Sequence, residues 1–199
     1  MLIVFIKYPE PGKTKTRLIP ALGSIAAADL QHTMSQHVLK VVKEFCQAAR
    51  RESDIRFTGA TDDQMADLYG TEWRYREQGD GDLGERLTRS VTDGFLSGAK
   101  AVVVIGTDCP TLTADHLQIA FDWLLETDVV LGPALDGGYY LIGLRQPHAE
   151  LFKGISWSTE CVLQQTVQAA SHMGLSVRLL EYLADIDKPE DLPGFIALG

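Results

Sequence analysis

The sequence predicts an α/β protein built on a mixed, mainly parallel sheet. Short β-branched apolar runs alternate with amphipathic helical segments along all 199 residues, the pattern of strands crossed over by helices. Turn residues punctuate the ends of those runs. Only one pair of runs, on either side of Asp136-Gly137-Gly138, lies too close together for a helical crossover, so one strand should run antiparallel. Apolar residues make up 45% and charged residues 23% of the chain, which suits a globular domain and excludes a disordered one.

The elements follow in order. Residues 2–6, Leu-Ile-Val-Phe-Ile, form a buried strand ended by turn residues. Residues 24–51 read as a long helix, because Leu30, Met34, Val38, Val41 and Phe45 recur at three- and four-residue steps while His37, Lys40 and Lys43 fall on other faces. A short strand covers residues 55–58. Leu83, Leu87, Val91 and Phe95 repeat every four residues on another helix, which Gly98 can close. Residues 101–105 are the most hydrophobic strand. Thr113 caps a helix carrying Leu117, Phe121 and Leu124. Strands at 129–131 and 139–144 flank the Asp-Gly-Gly turn, and Ser158 caps a helix reaching Met173. Residues 176–180 are the last strand, and Pro189 suits the first turn of a terminal helix. No repeat or linker interrupts residues 1–199, which read as a single domain.

Charge and cysteines narrow the function. With 18 Lys and Arg against 27 Asp and Glu, the formal net charge is −9, which repels a phosphate backbone and argues against a nucleic-acid partner. No run approaches the roughly 20 apolar residues of a membrane span. The scattered Cys46, Cys109 and Cys161 read as reduced thiols of a cytoplasmic protein. Residues 2–6 are also too short for a signal peptide's apolar core, and they run straight into Lys7-Tyr8-Pro9.

In open sheets ligands gather beyond the carboxyl ends of the strands, and the unusual residues of this chain cluster there. After the first strand, Lys7, Lys13, Lys15 and Arg17 place four cations within eleven residues, around Gly12, Thr14 and Thr16. Phosphate binding wants that composition: accessible backbone N–H groups and charged donors. Gly12-Lys13-Thr14 copies the end of a P-loop, but Lys7 stands where its first glycine belongs. Pro20 and Gly23 would also break the helix that must follow. The strand at 101–105 runs into Gly106-Thr107-Asp108, delivering a carboxylate suited to hold Mg²⁺ or Mn²⁺ against a diphosphate. Neighbouring Cys109 has no nearby His to activate it and reads as structural.

Three further stretches admit a ligand or a turn. The loop Gly79–Leu87, with Gly81, Leu83, Gly84 and Arg86, can wrap a base or ribose or simply cap a helix. Asp136-Gly137-Gly138-Tyr139 and Trp157-Ser158-Thr159 can line a sugar pocket, or serve as a hairpin turn and a helix cap. Asp187 is equally a metal or substrate carboxylate and an N-cap.

Taken together, the order Lys-Tyr-Pro-x-Pro-Gly-x-x-Lys-Thr-Arg-Leu, Gly-Asp-Leu-Gly-Glu-Arg-Leu, Gly-Thr-Asp-Cys-Pro-x-Leu, Leu-Asp-Gly-Gly-Tyr-Tyr-Leu-Ile-Gly-Leu, Trp-Ser-Thr and Asp-Ile-Asp-x-Pro-Glu-Asp-Leu spans Lys7 to Leu192. This chain resembles the glycosyltransferase A-like family of nucleotide-diphospho-sugar transferases, some members of which are labelled arsenosugar-biosynthesis glycosyltransferases. It is more distantly similar to 2-phospholactate and molybdenum-cofactor guanylyltransferases. The resemblance implies a three-layer Rossmann-like nucleotide-diphospho-sugar transferase fold and a divalent metal, Mg or Mn. It implies that Asp108 is the catalytic, metal-binding carboxylate, that Asp136 is the catalytic acidic residue of the acceptor side and that Asp187 is the acidic tail of the pocket, either Asp187 or Asp136 completing the metal site. By the resemblance Lys15 and Arg17 would face phosphates and the Gly81–Arg86 loop, with Leu83 and Gly84, the base; the residues themselves add Lys7 and Gly12 to the phosphate loop and Gly137, Gly138, Tyr139, Trp157, Ser158 and Thr159 to the second substrate. Two departures stand out. The guanylyltransferases' glycine-rich opening with Arg-Met-Gly is replaced here by Pro9-Glu10-Pro11-Gly12, and Gly106-Thr107-Asp108 supplies only the last carboxylate of an Asp-x-Asp triplet.

The expected activity is metal-dependent glycosyl transfer from a nucleoside-diphosphate sugar to a small acceptor. The alternative is a nucleotidyltransferase joining a nucleoside triphosphate to a phosphorylated small molecule with release of pyrophosphate. A non-catalytic nucleotide sensor is the reading from another class. Neither nucleic acid nor membrane is an expected partner, and a homo-oligomer is compatible with the sequence.

Overall fold

A computed structural model describes residues 1–192. Its seven strands are β1 (Leu2–Lys7), β2 (Ser53–Thr58), β3 (Arg74–Glu77), β4 (Val102–Ile105), β5 (Val129–Pro133), β6 (Tyr139–Leu144) and β7 (Val177–Leu179). They form one sheet in the order β3-β2-β1-β4-β6-β5-β7. All neighbours are parallel except β6, which runs antiparallel to both β4 and β5. The antiparallel strand follows the Asp136-Gly137-Gly138 turn, as the short spacing requires. Gly137 has φ 89°, and a Cβ there would collide with the backbone of Glu160, so the turn demands glycine twice over.

Side chains alternate along β1. Leu2, Val4 and Ile6 join one core with helices α2 (Ser24–Ala49), α3 (Asp62–Tyr69) and α5 (Ala114–Trp123), while Ile3 joins another with α4 (Leu83–Leu96) and α6 (Val162–His172). The result is three layers, helices on either side of the sheet. The buried stripe of α2 runs through Ala27, Ala28, Gln31, Met34, Val38, Val42 and Phe45, leaving Leu30 and Val41 at its margin. Among the described residues no helix is long and apolar enough to cross a membrane.

Several local expectations change. The chain holds α3 and β3, neither of which its hydrophobic pattern announces. β3 is Arg-Tyr-Arg-Glu on the sheet edge, where only one neighbour imposes burial. The α3 start is written instead in a capping box, with Gln64 N–H donating to Thr61 Oγ1 (3.3 Å) and Thr61 N–H to Gln64 Oε1 (2.9 Å). Ser158 does not cap α6. It sits at φ 64° in a turn, and the helix begins only at Val162, behind Cys161. That turn is held by Thr159 Oγ1, which donates to Ser156 O (2.7 Å) and accepts from Cys161 N–H (3.3 Å). Pro189 opens a single 3₁₀ turn, Pro189–Asp191, and the helix expected beyond it falls outside the described residues.

A third, small core explains how the site is assembled. Leu18, Ala27, Met34 and Ile186 are buried together, which fastens the first loop and the tail segment to the start of α2. Between Leu18 and that helix lies the one-turn α1 (Ile19–Leu22), closed by Gly23 at φ 81°.

Candidate active site

Strand order reverses at β1, with β2 on one side and β4 on the other, and a cleft opens there above the carboxyl ends. The cleft has two lobes. The first, about 420 Å³, is lined by the ends of β1 and β4, the loop residues Thr14–Arg17, Gln78 and Leu83. The second, about 410 Å³, is lined by Asp136, Gly138, Trp157, Ser158, Thr159 and Asp185. Arg17, Asp108, Tyr139 and Asp187 line both lobes and form the seam between them.

Charge pairs make the seam. Lys15 sits in the left-handed region at φ 48° with its side chain only 3% exposed. Its Nζ donates to the Ile186 carbonyl (2.6 Å) and to Asp108 Oδ1 (2.7 Å), with Asp187 Oδ1 at 3.8 Å. Arg17 Nη1 donates to Asp187 Oδ2 (2.7 Å). Ile186 N–H in turn donates to the Asp108 carbonyl (2.9 Å), so the tail strap binds the β4 loop through its backbone and Lys15 through its carbonyl. Thr14 Oγ1 donates to Tyr8 O (2.7 Å) and accepts from Glu10 N–H (3.2 Å), which shapes the turn presenting Lys15.

The remaining candidates divide. Lys7, Leu83, Gly138, Tyr139, Trp157, Ser158 and Thr159 all line one lobe or the other. Gly12 does not. It is exposed at φ 84° with open space around it, and its part is the turn. Nearby Lys13 pairs with Glu10 on the surface (2.8 Å). Gly81 and Arg86 are bound to each other, Arg86 Nε donating to Gly81 O (3.0 Å). Gly84 is buried against Trp157, where a Cβ would strike the Phe152 carbonyl and the indole, so it lets Trp157 pack down on α4. Gly137 shapes the hairpin, while Asp136 Oδ1 accepts from Gly138 N–H (2.8 Å).

Cys109 is buried, and burial followed by the Asp108 and Asp185 carboxylates pushes its thiol well up, so it is no nucleophile at neutral pH. His116 is satisfied within the protein: Thr113 N–H donates to its Nδ1 (3.0 Å), and its Nε2 lies 2.7 Å from Glu181 Oε1.

Asp185 emerges as more than a neighbour of Asp187. Burial, and then the Asp136 carboxylate, raise its pKa from 3.8 to about 6, with Asp191 and Asp108 adding to the rise. The folded protein therefore holds this proton more tightly than the unfolded chain does, and stability falls as pH climbs from about 4 to about 6. A shift of that size is worth about 3 kcal/mol for a fully buried group. Solvent screening of this half-exposed one reduces it to about 1 kcal/mol. In metal-free protein, Asp185→Asn should raise the denaturation midpoint at pH 7.5 and leave it nearly unchanged at pH 4. Equal midpoints of parent and variant at pH 7.5 would refute the strain.

Polar residues that sequence reading passed over form the floor of the first lobe. Gln31 Nε2 donates to Thr107 Oγ1 (3.0 Å) and Ser35 Oγ (3.1 Å) inside the core, and Gln31 and Thr107 both line the cavity. The signal was present in the helix, since Gln31 falls on an otherwise apolar stripe. Thr58 and Gln78, at the ends of β2 and β3, complete the floor.

The fold is the one seen in nucleotide-diphospho-sugar transferases, and the proteins it matches are named transferases of nucleotide sugars or of nucleotides. A presumed nucleotide-diphospho-sugar transferase from Desulfovibrio desulfuricans G20 superposes with a TM-score of 0.89 at 33% identity, over 98% of this chain and 84% of that one. The chain belongs to the DUF2064 family, described as an uncharacterized protein conserved in bacteria, whose model matches residues 41–159. Two curated relatives align over almost their full lengths. A 2-phospho-L-lactate guanylyltransferase of Methanopyrus kandleri is 25% identical over 98% of this chain and 90% of its own. A phosphoenolpyruvate guanylyltransferase of Chloroflexus aggregans is 28% identical over 92% and 91%.

Proposed function

We propose that this protein transfers a glycosyl group from a nucleoside-diphosphate sugar to a small acceptor with the help of a divalent metal. The character of the second lobe carries this reading. It holds Asp108, Asp136, Asp185 and Asp187 against a single cation, Arg17, together with Trp157 and the hydroxyls of Ser158 and Thr159. Carboxylates accept hydrogen bonds from sugar hydroxyls, and an indole offers an apolar platform, whereas a phosphorylated acid entering this lobe would meet like charge.

Among the described residues no group of three or more His, Cys, Asp and Glu converges on a metal position. Mg²⁺ needs no such cage, because it is usually held by one or two carboxylates, substrate phosphates and water. Asp108 and Asp187, both beside Lys15, fit that reduced set. A metal bound there supplies positive charge to the diphosphate as it leaves.

The residues of the chain do the rest. Lys15 and Arg17 stand at the seam, where they offset charge growing on the departing nucleotide. The sugar C1–O bond to the diphosphate breaks, a bond from C1 to the acceptor oxygen forms, and the acceptor's proton passes to a carboxylate of the second lobe. Asp136 and Asp185 both reach that lobe. Asp136 is placed to take that proton, with Asp185 a second carboxylate of the same lobe.

The second reading, nucleotidyl transfer, is favoured by the two guanylyltransferase relatives. Titration calorimetry with Mn²⁺ separates the two. Glycosyl transfer expects a nucleoside-diphosphate sugar to bind roughly tenfold more tightly than its own nucleoside diphosphate, since the sugar adds hydrogen bonds in the second lobe. A triphosphate that outbinds the diphosphate sugar of the same base, and releases pyrophosphate when a phosphorylated acid is added, would replace this proposal with the second reading.

A further inference from the structure

Three parallel strands end side by side on the floor of the first lobe. Lys7 ends β1 and pairs with Thr58 at the end of β2, and Gln78 follows Glu77, the partner of Phe57, at the end of β3. All three residues line the cavity. In the order β3-β2-β1-β4 they lie away from Asp108, with Gln78 three strand spacings from β4, about 14 Å. That separation is on the scale of a nucleotide between its base and its diphosphate.

Gln78 is held from three directions. Its backbone N–H donates to Phe57 O (2.8 Å), its backbone carbonyl accepts from the Arg89 guanidinium, and its side-chain Nε2 donates to Arg56 O (3.0 Å). A backbone carbonyl can only accept, so the amide nitrogen must face Arg56 and the amide oxygen must point away from it. That oxygen has no donor among the described residues, yet it is not among the sealed, unpartnered atoms of the core. Gln78 lines the cavity and is only 5% exposed, which leaves that oxygen's two lone pairs to a ligand bound there.

We propose that Gln78 is a specificity-determining residue that reads guanine, its oxygen accepting from the ring N1–H and the exocyclic amino group together. The inference rests on the nucleotide-binding reading above and names the base. From Lys7 through Thr58 to Gln78 the row runs donor, donor or acceptor, acceptor. Guanine's edge sets two N–H donors side by side, so one oxygen can accept from both, and its carbonyl lies next to them for a donor from the same row. Adenine and cytosine set their amino group beside a bare ring nitrogen, which would face the Gln78 oxygen with another lone pair. Uracil flanks its single N–H with two carbonyls and meets the same repulsion at one of them.

The test is binding of GDP, IDP, UDP and ADP, in Mg²⁺, to the parent protein and to Gln78→Leu. IDP is the informative probe, because hypoxanthine keeps N1–H and lacks the amino group. The parent should bind GDP about tenfold more tightly than UDP or ADP, with IDP between, one hydrogen bond short. Gln78→Leu should bring GDP down to the level of the others and leave UDP and ADP as they were. The parent's own ranking stands as a test should the variant fail to fold. A parent that binds nucleotides without preferring GDP, or a Gln78→Leu variant that keeps the parent's preference for GDP over IDP, UDP and ADP, overturns the assignment while leaving nucleotide binding intact. A parent that binds none of the four overturns the proposed function, and this inference with it.

Discussion

Asp108→Asn is expected to abolish the metal-dependent part of nucleotide binding and to lower turnover by roughly 10³-fold, while the protein stays folded. The reasoning starts from shape. Asn is isosteric with Asp and keeps one carbonyl oxygen, so it can still accept from Lys15 Nζ, which stands 2.7 Å from Asp108 Oδ1. The Ile186 N–H bond to the residue 108 carbonyl is a backbone contact and survives the change. Asp108 is also half exposed at the seam, so its replacement leaves no sealed polar atom. What disappears is one negative charge where β4 delivers it. Without metal, a nucleoside diphosphate should bind the variant at least as well as the parent, since one repulsive carboxylate has gone. With Mn²⁺ the parent should gain affinity and the variant should not. Calorimetric titration of both proteins, with and without metal, reads this directly, and an equal gain in the two would move the metal away from Asp108.

The layered fold was legible because its buried strands are short runs of Val, Ile and Leu between turn signals. Strands β1, β4, β5 and β6 lie where that pattern places them, and the Asp136-Gly137-Gly138 spacing correctly marks the antiparallel strand. The polar edge strand β3 was not legible, because an edge with one neighbour carries no hydrophobic signature. Ser158 misled for a related reason. A serine before an amphipathic segment resembles a cap, but here the backbone needs several residues to bring Trp157 down onto Gly84 before α6 can start. In the site, the ends of β1 and β4 could be read from sequence, since a strand's end is a place the pattern defines. Contacts between residues more than 150 positions apart could not. Lys15 and Arg17 look like free phosphate ligands in the sequence, and the structure gives each a carboxylate partner through the folded-back tail at Ile186 and Asp187.

That pairing makes Lys15 the residue with the second large expected effect. Its buried ammonium touches a carbonyl and a carboxylate, with a second carboxylate at 3.8 Å. Lys15 therefore engages one oxygen of Asp108, the carboxylate that would hold the metal. Lys15→Met keeps an unbranched side chain of similar length in the buried channel and removes the charge with its N–H donors. The Ile186 carbonyl then loses its donor, and Asp108 and Asp187 lose the cation between them, so stability should fall by about 2–4 kcal/mol. Metal and nucleotide should respond in opposite directions. Freed from its competitor, with Asp108 left without a cation and Asp187 with Arg17 alone, Mn²⁺ by itself should bind the variant severalfold more tightly. A nucleoside diphosphate, deprived of a charge-assisted donor, should bind about tenfold or more weakly even at saturating Mn²⁺. Denaturant unfolding at pH 7.5, followed by separate titrations of Mn²⁺ and of nucleotide, reads all three effects. Loss of stability with unchanged affinity for both ligands would make Lys15 a clamp for the tail strap and remove it from the phosphate site.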